Sequence, residues 1–226
     1  MLAHTTNFAP APVRNARTAP PAATHGLADA LDMMGAPMTF KRNAEIYGEN
    51  EPAEYLYKLV KGAVRTSKFL DDGRRQIGDF YMPGDIFGLE AAAEHTFSAE
   101  AISDVQVIVV KRSAVEALAV RDNDVARQLW TMTRRELQRM QDHILLLIKT
   151  AQERVAGFLL EMANRIKARD EFDLPMSRQD IADYLGLTIE TVSRTLTSLE
   201  NSAAIALPSS RRVVLRNRAA LARMNA

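Results

Sequence analysis

The rhythm of apolar and polar positions changes along this chain. Between about residues 38 and 111 the apolar residues come in short, partly alternating runs, at 55–60, 63–69, 75–81, 99–102 and 105–111. Lys61-Gly62, Asp71-Asp-Gly73 and Pro83-Gly-Asp85 punctuate them as turn signals. Several short strands at this spacing predict an all-β sandwich or barrel, with Tyr55, Tyr57, Leu59 and Phe80 in its core. From about 123 to 150 the rhythm is helical. Trp130, Leu137, Ile144 and Ala151 recur every seven residues, and Thr133, Met140 and Leu147 fill the intermediate position. This is a heptad seam. None of its seven positions is charged, so two copies of the chain would pair along it without burying an ion. The other reading is that the stripe packs on the chain's own β-rich half. Leu129, Met132 and Leu146 lie towards another side and suit that contact, which leaves the seam for dimerisation.

A further amphipathic helix is predicted over 152–167, with Val155, Phe158, Leu159, Met162 and Ile166 on its apolar side. Beyond Leu174-Pro175 the residues 178–197 spell a helix-turn-helix. Ser177 caps the first helix, with Asp180 three places on completing a variant capping box. Ile181 and Leu185 face inward, Ala182 leaves room for a second helix to cross closely, and Gly186 supplies the left-handed residue that ends the first helix. Thr188 caps the second helix, whose Val192, Leu196 and Leu199 form one apolar stripe. After Ala203, segments 204–207 and 212–215 flank Pro208-Ser-Ser210 and read as a β-hairpin, or wing.

The polar face of the second helix carries Glu190, Ser193, Arg194 and Thr197 in its first turns, where a docked recognition helix meets base edges. Arginine donates bidentately to guanine O6 and N7, glutamate accepts from cytosine N4, and serine bonds either base. Arg194 and Glu190 are therefore suited to one G·C pair. Such a face is ordinarily just solvated, and its setting on this tight corner is what favours DNA. Arg178, Thr188, Thr197, Arg211 and Arg212 are candidates for the phosphate backbone.

The chain has 226 residues, 47% of them hydrophobic, and a net charge of only +1. That balance is uneven. Residues 176–226 hold seven arginines and four acids, and five of those arginines follow the last acid, Glu200. A basic end beside the motif fits phosphate contact. With no cysteine, disulfides, thiolate metal sites and cysteine-held iron–sulfur clusters are excluded. No apolar run reaches transmembrane length, so a cytoplasmic protein with no membrane partner is expected. Residues 1–26, rich in Ala, Pro and Thr, read as a disordered arm, and their prolines interrupt any amphipathic targeting helix. His4 and His25 fall in that arm, His143 on the long helix and His95 in a loop, where solvation is the ordinary expectation. No base–nucleophile set emerges, and no enzyme is predicted.

A β-rich half, a long dimerising helix and a C-terminal winged helix-turn-helix, in that order, resemble the CRP/FNR superfamily of bacterial transcription regulators over residues 38 to 215. Two segments carry the resemblance: 144–158, reading from Ile144-Leu-Leu-Leu-Ile148 to Gly157-Phe158, and 180–194, reading from Asp180-Ile-Ala-Asp-Tyr184 to Glu190-Thr-Val-Ser-Arg194. Both look like the FNR and FixK branch. The resemblance implies an α+β chain divided into the arm (1–26), a β-roll of the cyclic-nucleotide-binding, jelly-roll kind (27–118), the dimerisation helix (119–151) and the DNA-binding domain (152–226). It also implies that Glu190, Ser193 and Arg194 read a TTGA/TCAA palindrome, and that RNA polymerase is a partner, with the Asp71-Asp-Gly-Arg74 turn as a candidate contact or an ordinary hairpin turn.

The departures from the family concern sensing. Cyclic-AMP receptors clamp the phosphate with an arginine in the β-roll and hold the ribose with a glutamate in a Gly-Glu-Leu motif. This chain reads Gly88-Leu-Glu90 and Thr96-Phe-Ser-Ala99 there, with no arginine between Arg75 and Arg112. FNR proteins sense oxygen with a cysteine-held cluster, which this chain cannot build. An effector-gated regulator, answering a cyclic nucleotide or nitric oxide through a haem on His95, is the competing expectation. The favoured one is a FixK-like dimer with no cofactor, mainly an activator, controlling microaerobic respiration and nitrogen-fixation genes.

Overall fold

Two antiparallel four-stranded sheets build the N-terminal half, in a computed structural model that describes residues 26–224. The arm expected over 1–26 lies, Gly26 apart, outside the described residues. Helix α1 (Leu27–Met34) precedes strands β1 (Ala36–Phe40), β2 (Glu45–Tyr47), β3 (Tyr55–Lys61), β4 (Val64–Phe69), β5 (Arg75–Tyr81), β6 (Ile86–Phe87), β7 (Ser98–Ala101) and β8 (Val105–Lys111). The strand orders are β1-β8-β3-β6 and β2-β7-β4-β5. Alternation sets which side chains enter the roll. Val105 and Val107 of β8 point inward with Tyr57 and Leu59 of β3, and meet Val64, Ala99 and Ala101 of the other sheet. Gly62 turns β3 into β4 at φ 89°, where a Cβ would lie 2.4 Å from the Asp104 carbonyl oxygen. Of the four expected core residues Tyr57, Leu59 and Phe80 are buried, while Tyr55 is half-buried at the edge of that core.

Helix α2 (Arg112–Arg121) leads into α3 (Asn123–Leu147), whose first turn is capped by Asp122 accepting from the Asp124 and Val125 amides. Leu129 and Met132 pack against Leu27, Leu31, Leu56 and Val110, as their side of the helix suggested. Five of the seven seam residues stay exposed, while Leu147 and Ala151 are half-buried. Trp130, Leu137, Met140 and Ile144 are 56–66% exposed, so the alternative that this stripe packs on the chain's own β-roll is not what the fold does. The seam also ends earlier than the heptads imply. α3 stops at Leu147, and α4 (Ala151–Arg165) begins behind a Thr150–Glu153 capping box, which leaves Ala151 in the next helix. The cause is local, because Thr-x-x-Glu satisfies the first amides of a new helix and so favours a break over continuation.

The C-terminal half comprises β9 (Glu171–Asp173), α5 (Arg178–Leu185), α6 (Ile189–Asn201), β10 (Ile205–Ala206), β11 (Arg212–Leu215) and α7 (Arg218–Met224). The wing has three strands, β10-β11-β9, where a two-stranded hairpin was expected. Val155, Phe158, Leu159 and Met162 of α4 are buried, whereas Ile166 caps the end of the helix and is partly exposed. One apolar cluster joins the two halves. Phe80 of β5 lies 5.3 Å from Tyr184 of α5 and 6.3 Å from Phe158 of α4, centroid to centroid. Arg165 adds ion pairs to Asp79 at 3.1 Å and Asp85 at 3.0 Å.

His143 of α3 lies against this junction, its ring 4.1 Å from that of Tyr184 and its Nδ1 buried without a hydrogen-bond partner. Burial lowers its pKa, and the charge of Asp79 opposes that only in part. A histidine held below its unfolded value favours the fold fully above about pH 6.5, and that contribution is lost as the pH falls towards the folded-state pKa. The thermal midpoint is therefore expected to drop between about pH 7.5 and 5.5, and to drop less in His143→Phe. An equal drop in both proteins would mean that His143 does not contribute to the pH dependence.

Candidate nucleic-acid interface

The two-helix corner follows its sequence closely. Ser177 accepts from the Asp180 amide, while Asp180 accepts from the Ser177 amide. Gly186 takes the left-handed conformation (φ 62°, ψ 40°), and the Thr188 hydroxyl accepts from the Thr191 amide to start α6. Ala182, Val192, Leu196 and Leu199 are buried between the helices. That burial turns the other face of α6 outward.

On that face Glu190, Arg194 and Thr197 are exposed, Ser193 is half-buried, and Thr188 stands exposed at the helix start. Ser193, Arg194 and Thr197 line one shallow depression with Ser198 and Asn201. Glu190 is held below the usual carboxylate range by its own backbone amide, then by the Thr188 hydroxyl and the charge of Arg194. It is thus an ionised acceptor beside a guanidinium donor. Arg178 reaches across from α5 and donates to the Ser193 hydroxyl at 3.3 Å, so it contacts a base-reading candidate, a link that its assignment to the backbone did not anticipate. The wing arginines are exposed but engaged: Arg211 donates to the Pro175 carbonyl at 3.2 Å and Arg212 pairs with Glu171.

The β-roll has the architecture of a cyclic-nucleotide site, and its polar residues cluster around Glu90. Between β6 and β7 the carboxylate of Glu90 accepts from the Tyr47 hydroxyl at 3.4 Å, lies 3.1 Å from His95 Nδ1 and stands 3.8 Å from Arg112. Arg112 itself donates to the Gly88 carbonyl at 2.7 Å. His95 is only 2% exposed and stacks on Tyr47 at 3.6 Å, which corrects the expectation of a solvated loop histidine. Tyr47, Tyr57 and Phe87 continue the stack into the core. Burial, then the charge of Glu90, pushes the Tyr47 phenol well up, so it stays a neutral donor. Among the described residues this cluster offers a cyclic nucleotide phosphate only the Arg112 guanidinium, which already donates to the Gly88 carbonyl and stands beside the Glu90 carboxylate. These residues do not fit it.

Residues 37–122 match the model of the cyclic nucleotide-binding domain and residues 153–224 that of the Crp-like helix-turn-helix domain. The chain is 52% identical over 204 residues to the nitrogen fixation regulation protein FixK of Azorhizobium caulinodans, which covers 88% of this chain and 82% of the relative. It is 40% identical to the protein of the same name from Rhizobium meliloti, over 77% of this chain and 80% of the relative. Among solved structures, FixK2 from Bradyrhizobium japonicum superposes with a TM-score of 0.82 at 52% identity, covering 85% of this chain and 98% of that one. Corner, roll and relatives agree: this chain belongs to the FixK-like branch of the CRP/FNR family of DNA-binding transcription regulators.

Proposed function

We propose that the protein works as a cytoplasmic homodimer that reads a TTGA/TCAA palindrome, recruits RNA polymerase, and mainly activates nitrogen-fixation and microaerobic respiration genes. The observation that carries the reading is the outward face of α6, where ionised Glu190 stands with Ser193 and Arg194 on a helix anchored from behind. Arg194 donates to guanine, Glu190 accepts from cytosine, and Thr188, Thr197, Arg178, Arg211 and Arg212 hold the backbone. The exposed apolar stripe from Trp130 to Ile144 supports pairing of two copies, and Thr133 and Leu147 lie on the same line. The names of the relatives support the nitrogen-fixation physiology. No described helix is long and apolar enough to cross a membrane, which agrees with the proposed location. Binding needs no effector in this reading, because the Glu90–His95–Tyr47 cluster occupies the β-roll between β6 and β7.

Arg194→Ala tests the face itself. Fluorescence anisotropy on palindromes altered one base pair at a time is expected to show a loss of about 1–3 kcal/mol on the best site and relaxed preference at a single base pair. A uniform loss on every sequence would instead make Arg194 a phosphate contact.

A further inference from the structure

The β-roll grips the first helix of the corner through two carboxylates, Asp180 and Asp183, and the first of them has two duties. Oδ2 of Asp180 accepts from the Ser177 amide at 2.9 Å and hydroxyl at 2.7 Å, closing the cap of α5. Oδ1 accepts from Arg65 of β4 at 2.8 Å and from Arg75 of β5 at 2.7 Å. Arg75 also donates through Nε to Asp183, one turn further along α5, at 2.8 Å, and Arg65 is braced by Glu100 of β7 at 2.7 Å. The Asp180 side chain is 3% exposed. Burial opposes its charge, but the Ser177 bonds and the two guanidiniums outweigh that and hold it below the ordinary carboxylate range.

Two planar guanidiniums on adjacent strands, both engaging one helix at defined oxygens, restrict rotation and slide in a way that apolar contact alone does not. α5 and α6 share a packed corner, so orienting one orients the other. We propose that Arg65 and Arg75 are positioning residues for DNA recognition: through Asp180 and Asp183 they fix the pose of α6 relative to the β-roll and α3, and so set the half-site spacing that the dimer accepts. This rests on the reading of α6 as the recognition helix of a dimer. Inserting one base pair moves the second half-site by about 3.4 Å and turns it by roughly 35°, a change that a rigidly held pair of helices resists and a loosened pair follows.

The test is binding of the full chain to labelled TTGA/TCAA palindromes with the best-bound central spacer and with one base pair more or fewer. The wild type is expected to prefer the best spacer roughly tenfold or more. In Arg65→Gln/Arg75→Gln that ratio is expected to shrink towards one while binding to a single half-site duplex is unchanged. A purely stabilising role would lower all affinities together and leave the ratio intact, and an intact ratio overturns the proposal. Asp183→Asn, outside the capping box, shifts the ratio in the same direction by a smaller amount, and Arg75→Lys partly restores it relative to Arg75→Gln. If the double variant does not fold, an unchanged ratio in Asp183→Asn overturns the proposal by itself. A wild type that prefers no palindrome over random duplex would sink the underlying dimer reading instead.

Discussion

Leu137→Asp combined with Ile144→Asp is expected to yield a folded monomer that no longer holds the palindrome. Both side chains are more than half exposed on α3, so a single chain loses little by carrying aspartate there. A dimer loses a great deal. Pairing along the seam would bring four carboxylates across a two-fold axis into an apolar contact, and each uncompensated buried charge costs several kcal/mol. A monomer engages one half-site, without the effective concentration that makes the second contact intramolecular. Affinity for the palindrome should fall by on the order of a thousandfold, towards the non-specific level. Sedimentation and anisotropy measure the two consequences together, and circular dichroism confirms that the fold persists. A variant that remained dimeric would move the interface away from Trp130, Thr133, Leu137, Met140, Ile144 and Leu147.

Phe158→Ala carries the largest expected cost to stability. The ring is fully buried, 5.8 Å from Tyr184 and 6.3 Å from Phe80, in the cluster that continues from the β-roll into the helix-turn-helix. Its removal loses transfer free energy and leaves a cavity that three separate elements must collapse to fill. About 3–5 kcal/mol is expected from such a truncation, which for a chain of this size lowers the melting midpoint by roughly 6–20 °C. Because the ring touches both halves, their docking should weaken as well, visible as earlier proteolysis around α4. Phe158→Leu, which keeps most of the volume, should cost much less. A midpoint within a degree or two of wild type would mean that the junction is not packed as described.

The helix-turn-helix was legible because its determinants are local. Ser177, Asp180, Gly186 and Thr188 each satisfy or end a helix within four residues of themselves, and the structure keeps all four roles. The long strands were legible for a similar reason, since alternation and turn residues specify them. Elements settled by distant partners were not. β6 is two residues that become a strand by pairing with β3, and α1 starts where the Leu27 amide donates to Gln128 Oε1, 101 residues away, at 2.8 Å. The burial of His95 depends on stacking against Tyr47, a partner that no sequence period exposes. Asp180 is instructive in another way: its cap was readable, but its second oxygen serves Arg65 and Arg75, more than a hundred residues earlier. The break before Ala151 was within reach, because Thr150 and Glu153 form the same kind of capping signal that marked α5. There the heptad repeat, running on through Leu147 to Ala151, masked a local stop.

Reading of a palindrome through α6 without a bound effector is the property on which the proposed function turns. Its most direct measurement is the affinity of the purified protein, in air and at physiological salt, for a TTGA/TCAA palindrome and for random duplex, each with and without cyclic AMP. A preference of about a thousandfold or more is expected, unchanged by the nucleotide. No preference, or one that appears only when the nucleotide is added, would contradict it.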